Sequence, residues 1–98
     1  MQTYVIRRRN AWKTADELEK AASRSAKIGN EQMADQVRWI RSYVVQEENG
    51  ALGTVCIYQA ISPEAITDHA ARVGMPADEI TLVANTVIVR DDPVKLAA

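Results

Sequence analysis

Two kinds of hydrophobic pattern follow one another along the chain. Four segments are rich in β-branched and aromatic residues, which is typical of strands: 4–8 (YVIRR), 36–47 (QVRWIRSYVVQE), 54–60 (TVCIYQA) and 80–90 (ITLVANTVIVR). Two segments between them instead repeat apolar residues at helical spacing. The pattern therefore predicts the order β-α-β-β-α-β.

The first predicted helix begins with a capping box and ends near a glycine. Thr14 and Glu17 have the Ser/Thr-x-x-Glu spacing of the box, and Gly29 followed by Asn30 predicts the stop. Small side chains make up most of its predicted inner face: Leu18, Ala21, Ala22, Ser25 and Ile28.

The second predicted helix has the clearest local signals in the chain. Ser62 is the expected N-cap, Pro63 occupies the first helical position, and Gly74 ends the helix. The buried stripe is predicted to consist of Ile66, Ala70 and Val73.

This order is that of the ferredoxin-like α+β fold, with two helices on one face of a four-stranded antiparallel sheet. We expect a single domain over residues 1–92 and a loose tail over 93–98. A domain this small gains stability by burying more surface in a dimer. The fold leaves one face of the sheet without helices, and what covers that face is the functional question.

Strand alternation gives a prediction about the segment "WIRSYV". Trp39, Arg41 and Tyr43 are expected to share one face, the one without helices, and Tyr58 joins them if the register permits. Aromatic residues and arginine are enriched at interfaces, so a subunit interface is one interpretation. The wall of a small-molecule cavity and a plain solvated surface are the alternatives.

Composition excludes several classes of function. A net charge of −1 and a pI near 5.8 argue against a general nucleic-acid binder. The chain also lacks phenylalanine and the basic RNP pattern of RNA-binding ferredoxin-like domains. No run approaches the roughly 20 apolar residues that cross a bilayer, and the start of the chain does not resemble a secretory signal. With Cys56 as the sole cysteine, we expect a cytoplasmic protein without an intrachain disulfide.

Residues typical of catalysis are sparse. His69 is the only histidine, and it has no second ligand at a metal-binding spacing. Cys56 lies in a strand without a neighbouring base, and there is neither a nucleophile elbow nor a phosphate-binding glycine loop. We therefore predict no catalytic residue, and His69 is the one candidate metal ligand.

The order of the motifs in residues 36–92 resembles small bacterial ferredoxin-like proteins of a nickel-binding family. The shared elements are Trp39-x-x-Ser42-Tyr43, Cys56-x-Tyr58, Ser62-Pro63-Glu64-Ala65-Ile66, His69-Ala70 and Gly74-x-Pro76. The resemblance implies a homodimer of ferredoxin-like subunits and, in some members, nickel as the bound metal.

Two positions depart from what the resemblance implies. Arg41 stands where a histidine is expected, and Arg7 stands where an acidic residue is expected. A guanidinium cannot replace a metal ligand, but it can bind a carboxylate. The ligand or interface candidates are Arg7, Trp39, Arg41, Tyr43 and Tyr58.

The predicted function is therefore that of a small dimeric protein that binds a small ligand or a metal ion. One alternative is a small enzyme of the dimeric α/β-barrel type, monooxygenase- or isomerase-like, with its cleft over the open sheet. The other is a structural dimerisation module.

Overall fold

The structure, a computed structural model, describes residues 1–92. Its elements are β1 (Gln2–Trp12), α1 (Ala15–Glu31), β2 (Val37–Gln46), β3 (Leu52–Ala60), α2 (Pro63–Val73) and β4 (Glu79–Leu82). The strands form one antiparallel sheet in the order β2-β3-β1-β4, so the predicted ferredoxin-like α+β fold is confirmed. The predicted tail, 93–98, lies outside the described residues. Neither helix within residues 1–92 has the length and hydropathy needed to span a membrane.

The core lies between the two central strands and α2. Tyr4 and Ile6 of β1 pair across the sheet with Tyr58 and Cys56 of β3, and Ile66 of α2 packs over them. All five side chains are buried. Since side chains alternate along a strand, this arrangement assigns Tyr4, Ile6 and Tyr58 to the helix-facing side of the sheet.

Helix ends follow the predicted capping chemistry. Ser62 Oγ accepts a hydrogen bond from the Ala65 N–H at 3.1 Å, and Gly74 closes α2 with a left-handed φ of 85°. Thr14 Oγ1 likewise accepts from the Glu17 N–H at 3.2 Å. Both predicted starts are therefore confirmed.

The first helix continues one residue beyond its predicted stop at Gly29 and Asn30 and ends at Glu31, where Met33 anchors the chain. The Met33 side chain is fully buried, and its backbone N–H bonds to the Ile28 carbonyl at 3.2 Å. The chain therefore stays wound through Glu31 before it turns into β2.

A β-bulge in β2 overturns the predicted face of the "WIRSYV" segment. Trp39 lies opposite Tyr58, but Arg41 lies opposite Ile57, so Ile40 is an extra residue without a partner. One extra residue inverts the alternation of all the side chains that follow it.

As a result, Trp39 does not share a face with Arg41 and Tyr43, and the predicted set of three is wrong. Trp39 faces the helices, where it stacks on Tyr58 with ring centroids 6.2 Å apart. Ser42 faces the same side, and it accepts a hydrogen bond from Trp39 Nε1 at 2.7 Å. Arg41 and Tyr43 alternate with Ser42 and therefore face the open side.

The last strand is much shorter than the predicted 80–90. It pairs with β1 so that Leu82 lies opposite Tyr4, and Val83 adds one hydrogen bond to the Thr3 carbonyl. Because β1 begins at Gln2, residues beyond this point have no strand to pair with. Three β-branched residues there are consequently exposed by 77 to 83%: Val87, Ile88 and Val89.

Candidate functional site

A cavity of about 460 Å³ lies between α1 and the helix-facing side of the sheet. Its walls are mainly apolar, and six of the side chains that line it are Trp12, Leu18, Ala22, Trp39, Cys56 and Tyr58. Both tryptophans of the chain are in this set. The volume falls within the range of about 300–1,000 Å³ that is typical of small-molecule sites.

The cavity exists because α1 presents small residues to a sheet that carries large ones. Ala15, Ala21, Ala22 and Ser25 line it from the helix, and Leu18 is the one large aliphatic side chain that α1 adds. The second helix instead fills its part of the sheet with Ile66 and other buried residues. The small-residue face, which the sequence predicts, therefore becomes a hollow rather than a close helix–sheet contact.

A chain of hydrogen bonds runs along the sheet side of the cavity. Trp39 Nε1 donates to Ser42 Oγ at 2.7 Å, and Ser42 donates to Cys56 Sγ at 2.9 Å. Cys56 Sγ in turn donates to Thr54 Oγ1 at 3.2 Å. The Cys56 thiol therefore both accepts and donates a hydrogen bond within the cavity wall. The Thr54 hydroxyl group accepts from it and can still donate its own proton to another acceptor.

Tyr58 connects the sheet to α1 at the end of the cavity. Its hydroxyl and Ser25 Oγ are 3.0 Å apart and share a hydrogen bond. Burial raises the pKa of Tyr58, so the phenol stays protonated and neutral. Tyr58 therefore supplies an aromatic wall between Trp39 on one side and the histidine of α2, 5.7 Å away between ring centroids, on the other.

Arg8 is the one charged side chain lining the cavity that is fully enclosed. It is 1% exposed, and its guanidinium carbon lies 5.7 Å from the centroid of the Tyr58 ring. Two of its nitrogens, Nε and Nη2, are buried and have no hydrogen-bond partner among the described residues. No carboxylate of residues 1–92 approaches its nitrogens within 4 Å. The cavity therefore combines apolar walls with one unsatisfied cationic donor.

Arg7, one of the predicted candidates, lies on the open side of the sheet. Both of its terminal nitrogens have hydrogen-bond partners there. Its Nη2 pairs with Glu47 Oε1 at 2.6 Å, and its Nη1 donates to the carbonyls of Arg8 and Thr54. Hydrogen bonds from Arg7 and from the Asn10 backbone hold the pKa of Glu47 below its usual value. This cluster joins the irregular end of β1 to the β2–β3 hairpin, so Arg7 has a structural role.

Arg41 and Tyr43, also predicted candidates, meet at a carboxylate of their own chain. Arg41 forms an ion pair with Asp92, and the Tyr43 hydroxyl donates to the other oxygen of Asp92 at 3.2 Å. Asp92 follows β4 by ten residues, so these contacts fasten the segment after β4 to β2. Arg41 reaches the rim of the cavity, but its charge already has a partner.

The structure thus brings together Trp39 and Tyr58 of the predicted set and adds Arg8, which sequence reasoning did not select. Arg8 is in phase with Tyr4 and Ile6 along β1. A charged residue in phase with two core residues is a signal that could have identified it. The cavity itself is on the helix side of the sheet, opposite to the face over which an enzyme cleft was predicted.

Comparison with known proteins places this fold in a family. Residues 4–83 match the family model described as nickel responsive protein SCO4226-like. The chain belongs to this family. The crystal structure of SCO4226 from Streptomyces coelicolor A3(2) is similar, with a TM-score of 0.68 at 20% sequence identity, over 87% of this chain and 99% of that one. At that identity the likeness establishes a shared fold. No curated protein sequence matches the chain.

The family's name raises the question of a nickel site, which residues 1–92 of this chain do not fit. Within residues 1–92, no three side chains of histidine, cysteine, aspartate or glutamate come together as metal ligands. His69, the predicted ligand, is 1% exposed, and its Nε2 lies 3.0 Å from the Ser25 carbonyl. Its Nδ1 is enclosed without a partner, and no second ligand reaches it. His69 therefore acts as a hydrogen-bond donor between the two helices.

The burial of His69 predicts a pH dependence of stability. Burial, helped by the charge of Arg8, lowers the pKa of His69 below its ordinary value of 6.5. The unfolded chain then binds the proton more readily than the folded one, so the free energy of unfolding decreases as the pH falls below about 6.5. We expect urea unfolding between pH 7 and pH 5, above the range where carboxylates titrate, to show this loss.

The matched control is His69→Gln, which keeps an N–H for the Ser25 carbonyl but does not titrate. Its free energy of unfolding should be nearly independent of pH over the same window. Equal pH dependence in the two proteins would show that His69 is not held neutral by the fold.

Proposed function

We propose that the protein binds a small organic ligand, and that the ligand occupies the cavity between α1 and the sheet. The observation that carries this proposal is the cavity itself: about 460 Å³, largely apolar, and lined by both tryptophans. An apolar ligand that enters it removes its own surface and that of the walls from water, which stabilises the complex by roughly 25 cal/mol per Å².

The lining favours binding over catalysis. Cys56 and Ser42 are engaged in hydrogen bonds along the wall, and neither contacts the histidine that could act as a base. We therefore propose a binding protein rather than an enzyme. A cytoplasmic location is part of the proposal, because Cys56 is a free buried thiol. Nickel is not part of the proposal, because no three potential metal ligands come together among the residues that the structure describes.

Tryptophan fluorescence can test whether the cavity takes up a ligand. We expect octanol, a neutral apolar probe, to change the emission of Trp12 and Trp39 in a saturable way, because both rings line the cavity. Ala22→Leu places three further carbon atoms in the cavity, so it should weaken the binding by about tenfold or more, equivalent to about 1.4 kcal/mol.

The matched control is Ala71→Leu, the same change at an exposed residue of α2 that does not line this cavity. It should bind octanol as the unmodified protein does. A linear, unsaturable response, or equal weakening by the two substitutions, would contradict the proposed location of the ligand.

We also propose that the protein is a homodimer and that the open face of the sheet forms the interface. Val5, Val55 and Ile57 form a half-buried apolar row at the centre of this face. Arg38 lies on one edge and Glu79, which also pairs with Arg9 of its own chain at 3.2 Å, on the other, so a two-fold axis can bring Arg38 of one copy near Glu79 of the second. A second copy is therefore the occupant that this face fits best.

Analytical ultracentrifugation tests the dimer. Ile57→Lys should shift the protein towards monomer, because it places a charge at the centre of the proposed interface. Leu82→Lys, at an exposed residue whose side chain is in phase with the helix-facing Tyr4, serves as the control and should leave the dimer intact. Far-ultraviolet circular dichroism checks that both variants are folded. A monomeric unmodified protein, or a dimer that survives Ile57→Lys, would contradict the proposal.

A further inference from the structure

Arg8 distinguishes this cavity from a purely apolar hollow. Its side chain lines the cavity, is 1% exposed and has two buried nitrogens without a partner in residues 1–92. A guanidinium has five N–H donors and no acceptor, and it stays charged in proteins. The groups that can satisfy it are therefore lone pairs, and preferably a negative charge.

Within residues 1–92, the chain provides such groups to Arg7 and Arg41, but not to Nε and Nη2 of Arg8. Arg7 has two carbonyls and Glu47, and Arg41 has Asp92. Arg8 has the face of the Tyr58 ring, with its carbon 5.7 Å from the centroid. A ring face attracts the cation but accepts few of its hydrogen bonds. Within residues 1–92, Nε and Nη2 of Arg8 have no acceptor, so water or a ligand in the cavity has to supply one.

We propose that Arg8 binds the carboxylate of a small amphipathic ligand whose apolar body fills the cavity. This inference rests on the proposed function, since it names the chemical class of the ligand for the same cavity. A guanidinium matches a carboxylate with two parallel hydrogen bonds. Thr54, which lies opposite Arg8 in the sheet and also lines the cavity, can donate its hydroxyl proton to the same group.

The charges around the cavity favour a monoanion over a phosphate. One lining cation, Arg8, lacks a counter-ion, and the other, Arg41, is paired with Asp92. Glu19 also lines the cavity and adds a negative charge to it. A ligand with two negative charges would meet one unpaired cation and a repelling carboxylate, so a single carboxylate fits this balance best.

The test compares two ligands that differ only in their head group. Isothermal titration calorimetry with octanoate and octanamide, near neutral pH, should give a dissociation constant at least about tenfold lower for octanoate, as expected for hydrogen bonds between charged groups. Arg8→Met keeps an unbranched apolar side chain in place of the arginine stem but removes the guanidinium and its charge, so it should abolish this preference. Arg8→Lys retains the charge and should restore part of it.

The outcomes separate this inference from the proposed function. Equal affinities for the two ligands in the unmodified protein would overturn the role of Arg8 and leave the cavity as an apolar binding site. Binding of neither ligand would overturn both. If Arg8→Met does not fold, Arg8→Lys and the unmodified protein still decide the preference.

A further variant tests whether Glu19 pairs with Arg8 in the ligand-free protein. Under our proposal, Glu19→Gln leaves the preference for octanoate unchanged or increases it, and it leaves the urea midpoint of unfolding unchanged. A large fall in that midpoint, together with tighter octanoate binding, would show that Glu19 neutralises Arg8 in the free protein and would overturn the need for a ligand carboxylate.

Discussion

The burial of one positive charge, that of Arg8, in an apolar cavity is the main physical constraint on this structure. Enclosing an ion without a partner costs several kcal/mol, while a domain of this size is stable by only about 5–15 kcal/mol. The cation–π interaction between Arg8 and the Tyr58 ring offsets about 2 kcal/mol of this cost. The rest of this cost lowers the free energy of unfolding of the ligand-free protein. A bound carboxylate would offset it, because the ligand would supply the missing hydrogen-bond acceptors.

The two neighbouring arginines show how strand alternation assigns different roles to the same side chain. Arg7 faces the open side and fastens β1 to the hairpin through Glu47, whereas Arg8 faces the cavity. The cavity is available to Arg8 because α1 presents alanine and serine to this part of the sheet. Family membership explains the shared fold, but the site depends on these particular residues.

Local signals made much of the fold predictable. Caps at Thr14 and Ser62 and the order of strands and helices depend on neighbouring residues, so the sequence alone identified them. The bulge at Ile40 and the end of β4 depend on pairing with distant strands, so neither could be predicted. Strict alternation without this bulge places Trp39 on the same face as Arg41 and Tyr43, which is why the three residues were grouped. The site was predicted in part, through Trp39 and Tyr58, while Arg8 was missed because burial, not residue type, separates it from Arg7.

A crystal structure of the protein grown with octanoate would show whether Arg8 binds a carboxylate inside the cavity. We expect electron density for the carboxylate within hydrogen-bonding distance of the Arg8 guanidinium, with the hydrocarbon chain between α1 and Trp39. Octanoate bound elsewhere, or a cavity closed by Glu19 paired with Arg8, would contradict this expectation.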